Sequence, residues 1–240
     1  MTTEGDQRTG EKWKIEDLVF DRRTLLTLGK LMEEGAFTKM DYLISPGKEA
    51  NVYRARSKED YVAIKIYRNE TSRFIRKMDY LQGDPRFKKA KLTGYNIIRL
   101  FAQKEYKNLL VAEKEGVDAP RPIGQKDNVV VMTFLGVGGL PFAKMAEVKP
   151  DVIEDDFYAI IRSVKGLWKG GIVHSDLSEY NILLGDRPYI IDLSEGVSIR
   201  HPKAKEFLMR DLVNVSAFFK KSIGLKSNPQ ELFSEVLSGV

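Results

Sequence analysis

Five side chains in this sequence have types and spacings suited to phosphoryl transfer. The stretch "HSDLSEYN", His174 to Asn181, sets a carboxylate (Asp176) and an amide (Asn181) five residues apart. A second carboxylate, Asp192, ends "YIID" eleven residues after Asn181. Upstream, "VAIK" puts Lys65 in an apolar run that reads as a strand, where alternation gives it the face of Ala63 and Tyr67. Glu105 falls on the apolar face of a later helix, and a buried carboxylate is costly without a cation. A half-buried lysine and a half-buried glutamate each ask for the other. In a phosphoryl-transfer site a lysine holds the α- and β-phosphates and is held by a glutamate. One carboxylate accepts the proton of the attacking hydroxyl or water, while an amide oxygen and a second carboxylate ligate magnesium. Each feature alone is weak: a strand lysine, a glycine turn or a capped polar turn is common. Their joint occurrence, in this order and on these elements, is what carries weight. His174 and His201 support no metal site, and His174 reads as a brace for the loop.

Those groups need elements to carry them. "DRRTLLTLGKLMEEGAF" spaces Leu25, Leu28 and Met32 as a helix that Gly35 stops. Tyr42 to Ile44, Val52-Tyr53 and Tyr61 to Tyr67 read as strands of a small antiparallel sheet, with "SPGKEANVY" a glycine turn between two of them. Residues 83–94 form a basic loop, and a helix then runs from Tyr95 to about Lys114 with Ile98, Phe101, Ala102, Leu109 and Ala112 on its apolar face. "VVVMTFLG" is a buried strand leading to a glycine-rich connection. A helix follows Pro150, with Asp151 near its start and a buried stripe of Ile153, Phe157, Ile160, Ile161, Val164, Leu167 and Trp168. Gly170-Gly171 ends it. Amphipathic helices at about 203–222 and 229–238 close the chain. A sheet-rich half followed by a helix-rich half is an α+β, two-lobed organisation. The divisions are a disordered 1–14, a helical extension over 15–40, a first lobe over 41–135 and a helical second lobe over 136–240.

Composition bounds the rest. The chain has 240 residues, 42% hydrophobic and 30% charged, enough for one domain or two lobes on one core. It has no cysteine, so disulfide, thiol and zinc-ribbon chemistry are excluded. The polar N-terminus is no signal peptide, and no run of about 18 apolar residues suggests a span, so a cytoplasmic location is expected. The net charge of +5 is local: residues 68–91 hold eight basic and three acidic side chains. That segment suits a phosphate-rich partner such as RNA, or is a solvated face.

With these residues in view, the sequence resembles the RIO kinases, atypical serine protein kinases, and among them the first subfamily. The resemblance rests on "SPGKEANVYRA", "HSDLSEYNILL", "YIIDLSEGV" and "HPKAKEFLMRD", and runs from about residue 16 to 220. It implies a kinase-like fold with extra N-terminal helices and a C-terminal lobe trimmed of its peptide-docking segment. It implies Asp176 as the base, Asn181 and Asp192 as metal ligands, and Lys65 with Glu105 on the phosphates. Ser45, Gly47, Lys48 and Val52 would cover the nucleotide. Thr133, Phe134 and Leu135 would be the hinge, with Met132 behind it and Ile191 below. The cofactors would be ATP and magnesium, with manganese as a substitute. The 83–94 loop would be mobile and phosphorylatable, at Thr93. The family's setting is late maturation of the small ribosomal subunit and its RNA, where a monomer would act as kinase or as an ATP-driven switch through an aspartyl-phosphate on Asp192. Glu195 departs from the glutamine usual there. The alternatives are a small-molecule phosphotransferase and an RNA-binding scaffold that uses ATP as a switch ligand.

Overall fold

The computed structural model describes residues 20–58, 60–68, 74–75, 77–148 and 152–239. The expected disordered start at 1–14, and Asp151, lie outside the described residues. Helix α1 (Arg22–Glu33) opens on Asp21, whose carboxylate accepts from the Thr24 N–H at 2.9 Å. Strands β1 (Lys39–Ser45), β2 (Ala50–Arg56) and β3 (Tyr61–Tyr67) follow. After a short helix α2 (Asp79–Gln82) comes the long α3 (Tyr95–Lys114). Strands β4 (Pro122–Lys126) and β5 (Val129–Thr133) complete a five-stranded antiparallel sheet, ordered β1-β2-β3-β5-β4.

The sheet has two working faces because strand side chains alternate. Its outer face packs Tyr53, Ala55, Val62, Ile64, Ile66, Val129 and Val131 under α1. Its inner face turns Ala63, Lys65 and Tyr67 toward α3. The buried side of α1 differs from the expected Leu25, Leu28 and Met32 stripe: Met32 is 43% exposed, and Thr24, Thr27, Leu28 and Leu31 face inward. The two hydroxyls explain this. Thr24 accepts from Asn128 Nδ2 at 3.0 Å, and Thr27 donates to Asp127 at 3.2 Å, so the β4–β5 hairpin turns the helix toward its polar partners.

Beyond Thr133 a small hairpin, β6 (Gly136–Val137) and β7 (Leu140–Pro141), leads through β8 (Ala143–Lys144) into the helical lobe. Helix α4 (Glu154–Lys169) buries the expected stripe except at its first member. Ile153 is 58% exposed because it is the residue that caps the helix, its N–H donating to Asp156 at 2.9 Å. Strand β9 (Ile172–Val173) pairs with β12 (Val197–Ser198). Between them lies the hairpin of β10 (Ile182–Leu184) and β11 (Pro188–Ile190). Helices α5 (Ala204–Ile223) and α6 (Pro229–Ser238) close the lobe. One continuous apolar core joins α3 to α4 and α5, so the two lobes share packing across the cleft. No helix among the described residues is long and apolar enough to cross a membrane.

The segment read as a basic loop is anchored from within. Asp84 and Phe87 are buried, and Arg86 donates to Asp84 and Asn108, the latter at 2.7 Å, and to the Gly196 carbonyl. Leu31 lies at the centre of the outer core and is 1% exposed. Leu31→Ala should cost about 2–5 kcal/mol of unfolding free energy in urea. A cost near zero would show that α1 is not part of the cooperative unit.

Candidate active site

A cleft of about 1010 Å³ separates the sheet from the helical lobe. Its roof is the turn between β1 and β2, with Ser45, Gly47 and Lys48, and the strand residue Val52. Gly47 is required there: a Cβ would run into the Ala50 carbonyl, and its N–H donates to Asn51 Oδ1 at 3.3 Å. The rear wall is Met132, Thr133, Phe134 and Leu135, where the chain passes between lobes. Ile191, Asp176, Asn181 and Asp192 form the floor. The structure thus brings to one cavity every residue that the sequence assigned to catalysis, nucleotide or metal.

Lys65 and Glu105 meet as their burial demands. The lysine Nζ lies 2.7 Å from Glu105 Oε1 and 2.7 Å from Asp192 Oδ1, so one ammonium bridges sheet, helix and floor. Burial works against its charge, but the Asp192 and Glu105 carboxylates hold the ammonium above its ordinary pKa. In return Lys65 keeps Asp192 well below the usual carboxylate range despite burial, with help from Ser194, whose hydroxyl donates at 2.7 Å. Tyr67, two residues along the strand, donates to Glu105 Oε2 at 2.5 Å. That second bond satisfies a carboxylate that burial alone would protonate.

The loop below is held in strained backbone. Ser175 and Asp192 have φ of 70° and 60°, in the left-handed region that side-chain-bearing residues seldom enter. Asp211 of α5 supports the first: its carboxylate accepts from the N–H groups of Ser175 at 2.8 Å and Leu177 at 2.9 Å. Burial raises that carboxyl to about 6. His174 braces the bend as expected. Its Nδ1 accepts from the Asp176 N–H at 3.3 Å, which puts the ring proton on Nε2, 3.0 Å from the Ile191 carbonyl. Asp211, Ser194 and Tyr67 are not assigned to the site by the sequence. Only Tyr67 left a signal, its strand register with Lys65.

Asp176 stands at the open end. Burial and the neighbouring Glu195 charge push its carboxyl up to about 6, against Lys77. Asn181 Nδ2 donates to the Asp176 carbonyl at 2.8 Å and to Asp176 Oδ2 at 3.2 Å. Among the described residues this leaves Asn181 Oδ1 and Asp192 Oδ2 as acceptors facing the cleft, and the Asp192 side chain is 42% accessible. Two hard oxygens suit a magnesium ion that keeps water and phosphate oxygens in its shell. Among the described residues no group of three His, Cys, Asp or Glu side chains is placed to hold a metal ion by itself.

A family model for the RIO domain, RIO1, matches residues 51–232. The chain belongs to the RIO family of serine/threonine-protein kinases. It is 38% identical over 216 residues to the RIO-type serine/threonine-protein kinase Rio1 of Haloferax volcanii, covering 89% of this chain and 74% of that one. It is 39% identical over 220 residues to the Rio1 kinase of Methanocaldococcus jannaschii, covering 91% and 76%. In fold it is similar to the Rio2 kinase of Chaetomium thermophilum, solved as an ADP/Mg2+–phosphoaspartate complex. That likeness has a TM-score of 0.67 at 22% identity, covering 90% of this chain and 65% of the other.

This RIO kinase also buries an ion-forming group beside the site. Lys104, next to Glu105, is 0% exposed. Its Nζ donates to the carbonyls of Tyr80 at 2.8 Å and Glu195 at 3.1 Å. Neither is a counter-charge, and burial lowers its pKa from 10.5 to about 7 against the attraction of Asp84 and Glu195. Between those two values the unfolded chain binds a proton that the folded chain does not. Stability should therefore rise with pH across that window. Urea unfolding between pH 7 and 10 is expected to show the rise in the parent chain and a flattened profile in Lys104→Met. An unchanged slope would assign it to other groups.

Proposed function

We propose that this chain is an ATP- and magnesium-dependent RIO-type kinase or ATPase that transfers the γ-phosphoryl group to a serine hydroxyl, to itself or to water. The observation that carries this reading is the bridging of Glu105 and Asp192 by Lys65, with Asp176 and Asn181 facing the same cleft. Lys65 takes the α- and β-phosphates, and Glu105 keeps it aimed. Ser45, Gly47, Lys48 and Val52 cover the nucleotide, and Thr133 to Leu135 meet the adenine edge. Asn181 and Asp192 would hold magnesium, which would neutralise charge on the phosphates. Asp176 accepts the proton of the attacking hydroxyl, its raised pKa making it a better base than an ordinary aspartate.

A second reading follows from the neighbour solved with a phosphoaspartate. Here Asp192 itself attacks the γ-phosphorus, ADP leaves with the β–γ bridging oxygen, and water activated by Asp176 later releases phosphate. The ionised state of Asp192 favours it as a nucleophile. The proposed setting, maturation of the small ribosomal subunit in the cytoplasm, draws support from the family resemblance and the basic 68–91 segment.

Single-turnover reactions with labelled ATP, with and without ribosomal subunits, separate these routes. Label on Asp192 is released by hydroxylamine, whereas label on serine is not. Asp176→Ala is expected to slow turnover by about 10²-fold or more, as loss of a general base does, and Asp192→Ala, which removes a proposed metal ligand, should slow it as well. Activity of the parent chain should fall as pH drops through about 6, where Asp176 gains its proton. Unchanged rates in both variants would sink the mechanism.

A further inference from the structure

Between Asp176 and Asn181 the loop carries Leu177, Ser178, Glu179 and Tyr180, none of them cationic. Lys65 is committed to Glu105 and Asp192 on the inner side of the cleft. The end where Asp176 stands therefore draws no positive charge from its own loop. Phosphoryl transfer spreads negative charge over three oxygens, and a cation aimed at them stabilises the transition state.

Lys48 and Lys144 also line the cleft, but the lysine whose charge acts on Asp176 is Lys77, which stands just behind the lining. Lys77 Nζ contacts Glu195, three residues past Asp192, and lies 2.7 Å from Glu49 in the glycine turn. Glu49 lines the cleft, and so does Ser194 beside Glu195. The ammonium thus ties roof to floor, and its charge acts on Asp176. Partial burial opposes that charge, but Glu195 and Glu49 hold Lys77 above its ordinary pKa. An ammonium has three N–H donors. Among the described residues Glu49 and Glu195 occupy two of them. Arg210, the other cation whose charge acts on Asp176, is engaged with the Ser175 carbonyl and with the Tyr80 hydroxyl at 3.3 Å.

We propose that Lys77 is a further catalytic residue: positioned by Glu49 and Glu195, it gives its third N–H to the phosphoryl group passing from ATP to the acceptor. The inference rests on the ATP-dependent reading above. In the step, the acceptor oxygen bonds to phosphorus and the bond to the β–γ bridging oxygen breaks. ADP leaves with the electron pair, and the acceptor proton goes to Asp176. Lys77 stays protonated throughout.

The test uses the full chain as wild type, Lys77→Met, Lys77→Arg and Asp176→Asn. Single-turnover transfer from labelled ATP is measured at saturating nucleotide, and affinity separately with a fluorescent ATP analogue. Lys77→Met should lose about 10²-fold in rate, the usual loss for one donor to a developing anion, with affinity changed by less than about threefold. Lys77→Arg, which keeps the charge, should recover at least about a tenth of the wild-type rate. Wild-type transfer by Lys77→Met beside an inactive Asp176→Asn overturns the role of Lys77 and leaves the site reading standing. Wild-type transfer by both overturns that reading itself. A rate loss matched by an equal loss of affinity makes Lys77 a ground-state contact and overturns the proposal. So does a thermal-stability loss that Lys77→Arg repairs without repairing the rate.

Discussion

The architecture depends on one buried ammonium. Lys65 comes from the sheet, Glu105 from α3 and Asp192 from the floor of the helical lobe, and the three meet within hydrogen-bond distance. Neither Lys65 nor Glu105 would hold its charge alone in its surroundings, because an unpaired buried ion is strongly disfavoured. Together the three fix the distance between lobes at the point where chemistry is proposed. Tyr67 satisfies the second oxygen of Glu105, and Ser194 adds a bond to the Asp192 oxygen that Lys65 contacts, so the buried end of the cluster is fully paired while Asp192 Oδ2 stays available toward the cleft.

Around that cluster the floor is rich in acid. Asp176, Asp192 and Glu195 lie toward one end of the cleft, and burial together with the charges of Glu195 and Asp192 raises the Asp176 carboxyl. Such a surface is electrostatically incomplete until cations join it, which is the condition under which a nucleotide–metal complex binds well. The strained backbone at Ser175 and Asp192 belongs to the same design. Asp211 and His174 hold the loop from below, so its shape is braced by α5 and by Ile191 just past β11.

Much of this was readable from the chain because the groups advertise their needs. A lysine in strand period and a glutamate in helix period each lack a counter-charge locally, so the pairing of Lys65 with Glu105 followed. The spacing of Asp176, Asn181 and Asp192 marked the floor. Asp211 was not readable, because its partners are backbone N–H groups, which leave no trace in residue type. Lys104 was hidden for the same reason, its acceptors being carbonyls. The misjudged face of α1 has a different origin. Periodicity weighs Leu25 and Met32 as core and treats threonine as neutral, but the hydroxyls of Thr24 and Thr27 choose the hairpin at Asp127 and Asn128. Ile153 was misplaced because a cap follows backbone geometry while the stripe follows apolarity.

That α1 hairpin contact bears on where the folding unit begins. The family match starts at residue 51, inside β2. Yet β1 is the edge partner of β2, and α1 covers the outer face of the sheet whose inner face holds Lys65. Asn128, which donates to Thr24, also donates to the Tyr67 carbonyl at 2.8 Å, and Tyr67 in turn holds Glu105. A chain of three hydrogen bonds therefore runs from the N-terminal helix to the catalytic ion pair. The span of the family model is shorter than the span that sustains the site. A fragment cut to the family boundaries would keep the proposed catalytic side chains and lose the support behind the strand that aims them.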